Sequence, residues 1–274
     1  MSSPGAESRK KNGAKDPVEE NLIGAFGLHG DEDWNTFRSA DPDLAEAYLA
    51  LVKAPRSGAL TPLTHELIGL AGASACSGID RPAIRSHVRA AVALGATFEQ
   101  LREVIQLVSV QGIHTVTMGT PLVLEEAVAA GIPIPTSDTP EALEVRDEFI
   151  LRRGYWSPLW DALVAFDPEF LRAYLNFSSL PWETGTLDAK TRELIYVAIN
   201  SVTTHLFADG LKIHIRNALR LGATPREIVE VFEIVAGVGV RSALAALPII
   251  VEECNERGSR TTAPKSTTKG KSDV

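Results

Sequence analysis

Two pairs of side chains in this sequence could transfer a proton. His87 lies 21 residues after Glu66, and His214 lies 21 residues after Glu193. A carboxylate bonded to one imidazole nitrogen fixes the tautomer of the ring and raises the basicity of the other nitrogen. If neighbouring antiparallel helices bring the members of a pair together, each pair is a candidate for general acid–base catalysis. A buried histidine with a structural ion pair is the alternative for each.

The polar residues around the two pairs differ. Arg241 occupies in the second half of the chain the position that His114 has in the first, and His205 occupies the position of Gly78. We therefore predict two unequal sites, or one composite site to which His114, His205 and His214 all contribute. Arg241 and His205 are candidates for binding a substrate, since a guanidinium pairs well with a carboxylate. Drift of loop residues is the alternative interpretation.

Both pairs belong to an internal repeat, which two pairs of matching sequence segments define. THELIGLAGAS matches TRELIYVAINS, and HVRAAVALGAT matches HIRNALRLGAT, each at an offset of 127 residues. Over residues 64–131 and 191–258, 21 of 68 positions are identical. Unrelated sequences of ordinary composition would share about four or five. Self-similarity of this kind indicates two copies of one structural module.

The repeat sets the predicted domain boundaries. The first module is predicted for residues 21–132 and the second for residues 141–258, with the Pro-rich segment PIPTSDTP, residues 133–140, as a linker. The ends, residues 1–20 and 259–274, are rich in small polar and basic residues. This composition predicts disordered tails.

Helix start and stop signals recur at matched positions in the two copies. These signals are N-cap–proline pairs, capping boxes and C-terminal glycines, at Asp41-Pro42 and Asp167-Pro168, Thr97 and Thr224, and Gly95 and Gly222. No segment shows a clear alternating strand pattern. The sequence therefore predicts an all-α fold of two tandem helical modules related by pseudo-symmetry.

Composition and charge narrow the class of protein. The chain has 274 residues, 45% of them hydrophobic, and a net charge of −8, and an acidic body repels nucleic acid. No uninterrupted apolar run reaches the roughly 18 residues of a membrane span, and the N-terminus lacks a secretory signal. Only two cysteines occur, Cys76 and Cys254, without a Cys-x-x-Cys motif, which favours the cytoplasm. Cys76 is predicted to be a small buried residue rather than a nucleophile.

The segment TRELI…HIRNALRLGATPREIVEV, with its counterpart in the first copy, resembles the carboxymuconolactone decarboxylase family, which includes the alkylhydroperoxidase D proteins. The resemblance implies an all-α homo-oligomer, a trimer of tandem chains that is pseudo-hexameric, with sites lined by helices from neighbouring modules. It also implies that His87 and His214 are the acid–base residues, with Glu66 and Glu193 as their partners.

The chain departs from the peroxidase branch of that family, because neither copy carries the redox-active cysteines. The corresponding positions hold Asp80 and Ala83, and Phe207 and Gly210. Thiol peroxidase activity is therefore disfavoured. The resemblance then implies a lyase of the decarboxylase type that needs no cofactor or metal and acts on a small anionic lactone or unsaturated acid, as in aromatic degradation. A related isomerase or hydrolase and a non-catalytic oligomeric binding subunit are the alternatives.

Overall fold

The computed structural model describes residues 32–53 and 58–262, with side chains as far as residue 255. In this part of the chain every regular element is a helix, as the sequence predicts. The first copy contributes α1 (Glu32–Ala40), α2 (Pro42–Lys53), α3 (Pro62–Ser74), α4 (Arg81–Ala93), α5 (Phe98–Ser109) and α6 (His114–Ala129). The helix α7 (Pro140–Arg153) follows. The second copy contributes α8 (Asp161–Phe166), α9 (Pro168–Thr184), α10 (Ala189–Ser201), α11 (Ala208–Arg220), α12 (Pro225–Ala236) and α13 (Arg241–Thr262).

Short 3₁₀ turns precede three of these helices: Val110–Ile113 before α6, Pro158–Trp160 before α8, and Gly237–Val240 before α13. The predicted tails lie outside the described residues, except that residues 259–262 continue α13. Helices α1 to α6 correspond in order to α8 to α13. A counterpart of α7 would fall in residues outside the described part of the chain.

The predicted helix signals are confirmed. Thr97 and Thr224 each complete a capping box with the residue three positions later. Asp167 accepts the N–H of Phe170 at the start of α9. Gly95 and Gly222 have φ angles of 92° and 87°, the left-handed conformation that a glycine adopts without strain after a helix. Local sequence therefore determines where the matched helices begin and end.

A pseudo-two-fold axis relates the two copies. The equivalent helices α3 and α10 pack against each other at the centre of the molecule, where two apolar clusters meet. Near the axis, Ser77 Oγ lies 2.5 Å from Thr204 Oγ1, its own equivalent in the other copy. Each of the two central clusters therefore contains residues of both modules.

The modules exchange their last helices. Val240 and Leu244, from the beginning of α13 and the turn before it, pack against Trp34 and Phe37 of the first copy. In the reciprocal arrangement Ile113, in the turn before α6, packs in the cluster that contains Trp160. Burial of these apolar surfaces, worth about 25 cal/mol per Å², holds the first turns of α6 and α13 inside the opposite module.

Two buried glutamates position the central helices. Glu103 Oε2 accepts the N–H of Leu187 at 2.9 Å, just before α10. Its equivalent Glu230 accepts the N–H of Ala59 at 3.1 Å, just before α3. Glu103 also binds Arg192 Nε at 2.6 Å. Each carboxylate therefore anchors the loop that leads into the central helix of the other copy.

Two predictions from the sequence concern the burial of Cys76 and the absence of a membrane span. Cys76, predicted to be buried, is exposed, because it lies in the turn after α3 where its N–H donates to Gln111 Oε1 at 3.0 Å. The continuous helical stretches Phe98–Ala129 and Pro225–Asn255 are long and apolar enough to cross a membrane by length and composition alone. Core helices of soluble proteins pass the same criterion. The absence of a membrane span therefore stays a prediction.

Candidate active site

Two pockets lie at equivalent places in the two modules, and each contains one Glu–His pair. We call the pocket around His87 site A and the pocket around His214 site B. Site A has a volume of about 530 Å³, part of it open to solvent, and lies between α2, α3, α4 and the beginning of α13. Site B has a volume of about 600 Å³, also partly open, and lies between α9, α10, α11, the beginning of α6 and the end of α7. Because the last helices are exchanged, each pocket has walls from both modules.

The structure brings both predicted Glu–His pairs together with matching geometry. His87 Nδ1 lies 2.8 Å from Glu66 Oε2, and His214 Nδ1 lies 2.7 Å from Glu193 Oε2. In each pair the carboxylate and the imidazole come from consecutive helices that pack side by side. Since the carboxylate of Glu193 engages Nδ1 of His214, Nε2 is the nitrogen of this ring that can exchange a proton with a ligand.

In site A the histidine is packed tightly. A Cβ atom added to Gly69 would lie 2.3 Å from His87 Cε1, so the ring occupies the space that any side chain at this position would need. The His87 side chain is only 5% exposed. His65, the neighbour of Glu66, is buried but does not line the pocket. Its Nδ1 lies 3.7 Å from Glu66 Oε1, and among the described residues neither ring nitrogen has a hydrogen-bond partner.

The other polar groups lining site A bind one another. Arg241 Nε lies 2.8 Å from Asp80 Oδ2, and the Arg241 guanidinium also donates to the carbonyl of Gly78. Asp80 caps α4 by accepting the N–H of Ala83 at 3.0 Å, and Tyr48 donates to the carbonyl of Gly237 at 3.3 Å. A substrate carboxylate at Arg241, as the sequence suggested, would have to compete with Asp80.

In site B aromatic residues replace those small and charged groups. Tyr196 occupies the position of Gly69 and stacks on His214, with ring centroids 4.5 Å apart. Phe207 occupies the position of Asp80 and stacks on His114 at 4.3 Å. The His214 side chain is 14% exposed, and Asn217 donates to the second oxygen of Glu193 at 3.3 Å. His214 is therefore held from two sides but remains accessible from the pocket.

His114 enters site B from the first module, at the position that Arg241 has in site A. Its Nδ1 is in hydrogen-bond contact with His205 Nε2, and the two rings stack at 4.7 Å. Burial lowers the pKa of His114 to about 3, and the nearby charges of His205 and His214 add to the effect. His114 is therefore a neutral imidazole at physiological pH. His205 touches His114, and its pKa is also lowered by burial.

Among the polar residues of site B that sequence reasoning missed are one arginine and three tyrosines: Arg153, Tyr155, Tyr174 and Tyr196. Arg153 is the last residue of α7 and donates to the carbonyl of Ser178 at 3.1 Å. Neither copy of the aligned repeat contains α7, so a comparison of the copies could not find this arginine. The signal available in the sequence was the segment Arg152-Arg153-Gly154-Tyr155, which places two arginines and a tyrosine at the end of an amphipathic helix.

Three residues that line site B have a buried polar atom without a hydrogen-bond partner among the described residues: Trp160 Nε1, Tyr196 Oη and Asn200 Oδ1. Buried polar atoms in folded proteins are nearly always paired. Unpaired donors and acceptors around one pocket therefore favour a polar ligand at that place. Within the described residues no group of three or more His, Cys, Asp or Glu side chains is placed to hold a metal ion.

The fold and the two pockets define a tandem all-α protein with a carboxylate-bound histidine in each half. The family model described as the carboxymuconolactone decarboxylase family matches residues 168–252. A crystallised protein from Burkholderia xenovorans LB400, provisionally assigned as a gamma-carboxymuconolactone decarboxylase subunit, is 36% identical to this chain. The two structures align with a TM-score of 0.81 over 89% of this chain and 99% of the other.

The chain therefore belongs to the carboxymuconolactone decarboxylase family. The family match and the structural match together bear out the resemblance inferred from the repeated segments. Among curated proteins none matches the chain.

Proposed function

We propose that this protein is a lyase that decarboxylates a small anionic lactone or related unsaturated acid in site B without a cofactor. The observation that carries the proposal is the environment of His214. Its Nδ1 is fixed by Glu193 at 2.7 Å, and its ring borders a pocket whose own polar atoms lack partners. The match to the Burkholderia xenovorans protein supports the same class of reaction.

In the proposed reaction the substrate itself would accept the electron pair released by decarboxylation. When the C–C bond to the carboxylate breaks, CO₂ leaves and the bonding electron pair passes through the conjugated system to the lactone carbonyl. The product of this step is an enolate, which must take up one proton at carbon. The protein then needs to hold the substrate, stabilise the negative charge on the carbonyl oxygen and deliver the proton.

His214 would deliver that proton from Nε2. Glu193 stabilises the imidazolium form that carries the proton before transfer, and Asn217 orients Glu193 through its second oxygen. After transfer His214 is neutral and regains a proton from solvent. Because Tyr196 stacks on the imidazole, the ring cannot rotate freely, and Nε2 keeps its direction between the two protonation states.

His114 would serve a different role from His214. Since it is neutral at physiological pH, it can hydrogen-bond to the substrate but cannot supply a positive charge. Its contact with His205 fixes the orientation of its ring. His205 is therefore proposed to position His114 rather than to touch the substrate.

Substitution of the two motif histidines tests the proposal. His214→Asn removes the basic nitrogen at similar size and should lower kcat by about 10²- to 10⁴-fold, the usual contribution of general acid–base catalysis. His87→Asn is the matched control and should lower kcat far less. CO₂ release is measured with a panel of muconolactone-type acids, including the dicarboxylated lactones.

Four results would contradict the proposal in different ways. Equal kcat in both variants and the wild type would exclude the histidine mechanism. Inactivation by His87→Asn alone would indicate that the reaction takes place in site A. Turnover without CO₂ would favour an isomerase or hydrolase. Binding without turnover that survives both substitutions would favour a non-catalytic binding subunit.

We also propose that the chain self-associates through the exposed apolar faces of its exchanged helices. Exposed side chains on these helices include Met118, Leu122, Val123, Ile249 and Ile250. Large apolar side chains exposed along a helix favour its association with another protein surface. Light scattering on the purified protein at micromolar concentration should give a multiple of 29.5 kDa, three being expected. A monodisperse monomer would contradict this.

A further inference from the structure

Two arginines lie against the same indole ring near site B, but only one has an acidic partner. The guanidinium carbons of Arg153 and Arg192 lie 4.9 Å and 5.3 Å from the centroid of Trp182. Arg192 Nε donates to Glu103 Oε1 at 2.6 Å. Within the described residues no carboxylate oxygen lies within ion-pair distance of Arg153, which donates instead to the carbonyl of Ser178.

The groups around Arg153 do not neutralise its charge. Burial raises the pKa of Tyr155, Tyr174 and Tyr196, so these phenols are protonated at physiological pH. Burial lowers the pKa of Arg153, but the three tyrosines more than offset this, so the pKa lies above its usual value. Site B therefore contains a permanent cation among neutral hydroxyl groups. Buried charges are ordinarily paired.

Unpaired polar atoms surround the same guanidinium. Tyr196 Oη lies near Arg153 and near Trp182 Nε1, but neither reaches it with hydrogen-bond geometry, and both Tyr196 Oη and Trp182 Nε1 are buried without a partner. An oxygen-rich anion could accept hydrogen bonds from the guanidinium, the phenol and the indole together. Bidentate acceptance from arginine is the geometry that suits a carboxylate.

Arg153 also lines a second pocket. With Tyr155 it lines both site B and an outer pocket of about 660 Å³, part of which is open to solvent. Glu193, the partner of His214, also lines the outer pocket, and Arg152, another of its lining residues, is paired with Glu148 and Glu183. Among the lining residues that the two pockets share, Arg153 is therefore the one that carries a charge.

We propose that Arg153, together with the hydroxyl groups of Tyr155 and Tyr196, forms a subsite that binds a carboxylate of the ligand of site B. The proposal rests on the proposed function and adds a feature of its substrate. The bound carboxylate is the one that stays on the product. A cation paired with the departing carboxylate would stabilise the ground state more than the transition state, in which that charge is lost. The substrate therefore carries an anionic group besides the one released as CO₂.

Calorimetric titration of the purified full chain tests the subsite, with muconolactone as the probe and its methyl ester as the uncharged control. Arg153→Gln should weaken muconolactone binding about 10- to 100-fold, the usual contribution of hydrogen bonds to a charged group. Arg153→Lys should keep part of the affinity because it keeps the charge. Arg172→Gln is the matched control, since Arg172 binds Glu144 and Glu148 on the surface and should bind muconolactone like the wild type. Methyl ester binding should not depend on residue 153.

Muconolactone binding to Arg153→Gln at wild-type affinity would overturn the subsite, as would equal weakening in Arg172→Gln or no saturable binding to the wild type. Thermal unfolding of each variant shows whether a loss of binding results from loss of the fold. If Arg153→Gln does not fold, the affinity of Arg153→Lys for muconolactone decides the test. The two proposals fail separately. Arg153-independent binding with His214-dependent CO₂ release contradicts only the subsite, and Arg153-dependent binding without CO₂ release contradicts only the lyase.

Discussion

Sites A and B come from the same repeated module and keep the same Glu–His contact, at 2.8 Å and 2.7 Å. They differ in how the surrounding polar groups are paired. In site A Arg241 binds Asp80, Tyr48 binds a backbone carbonyl, and His87 is packed onto Gly69. In site B, His114 and Phe207 occupy the positions of Arg241 and Asp80, and their rings stack on each other.

The two sites differ in which polar groups remain available to bind a ligand. The polar groups that line site A already bind other protein groups, so an anion entering it must break the Arg241–Asp80 pair. Within the part of the chain that the structure describes, site B presents a cation without an acidic partner and buried polar atoms without hydrogen bonds. Two equal proton-transfer pairs can thus have unequal functions, because access and unsatisfied polar groups determine which of them meets a substrate.

The largest expected effect comes from the carboxylate behind each histidine. Glu193→Gln keeps the size of the side chain but removes the charge that stabilises the His214 imidazolium, so kcat should fall by about 10²-fold or more. The pH profile of kcat should change with it, which simple loosening of the fold would not cause. Glu66→Gln is the control at site A and should leave kcat within a few-fold. Steady-state CO₂ release over a range of pH measures both. Equal losses in the two variants would remove the distinction between the sites.

Gly69→Ala should damage site A alone. The new Cβ would collide with the ring of His87, and overpacking of a core costs about 1–3 kcal/mol of unfolding free energy. Gly119→Ala is the matched control, since a Cβ there meets no atom within 4 Å and alanine is favoured in a helix by up to about 1 kcal/mol. Denaturant unfolding and kcat are measured together. A drop in kcat similar to that of His214→Asn would show that the two sites are not independent.

The last expected effect concerns the pH dependence of stability. The pKa of His114 is lowered from 6.5 to about 3 in the folded protein. The unfolded chain therefore binds more protons between these values, and stability falls as the pH falls through this window, by up to about 1.4 kcal/mol per pH unit. His114→Asn should reduce that slope. Arg241→Gln, at the equivalent position of site A, should keep it because a guanidinium does not titrate there. Identical slopes in His114→Asn and the wild type would contradict the assignment.

The sequence predicted those parts of the structure that depend on local signals and on the repeat. The capping boxes at Thr97 and Thr224 and the glycines after α4 and α11 are local, and they define the helices. The Glu–His contacts followed from equal spacing on consecutive helices. These features need only neighbouring segments to interact, so a single sequence contains them.

What the sequence could not supply depends on long-range packing. The exchange of α6 and α13 places His114 and Arg241 in the opposite modules, and no local signal records which helix packs against which module. Arg241 was expected to bind a substrate, but its pairing with Asp80 joins residues far apart in the chain. Arg153 lies on α7, outside the aligned repeat, and its importance depends on the absence of an acidic neighbour, which only the folded structure reveals.

The central claim is that the substrate binds in site B and not in site A. The most direct measurement is a crystal structure of His214→Asn soaked with a dicarboxylated muconolactone-type lactone, since this variant should bind the substrate without decarboxylating it. We predict ligand density in site B, with one carboxylate on Arg153 and the lactone ring between His114 and residue 214. Density in site A, between Tyr48 and Arg241 with the Asp80 pair broken, would contradict the account.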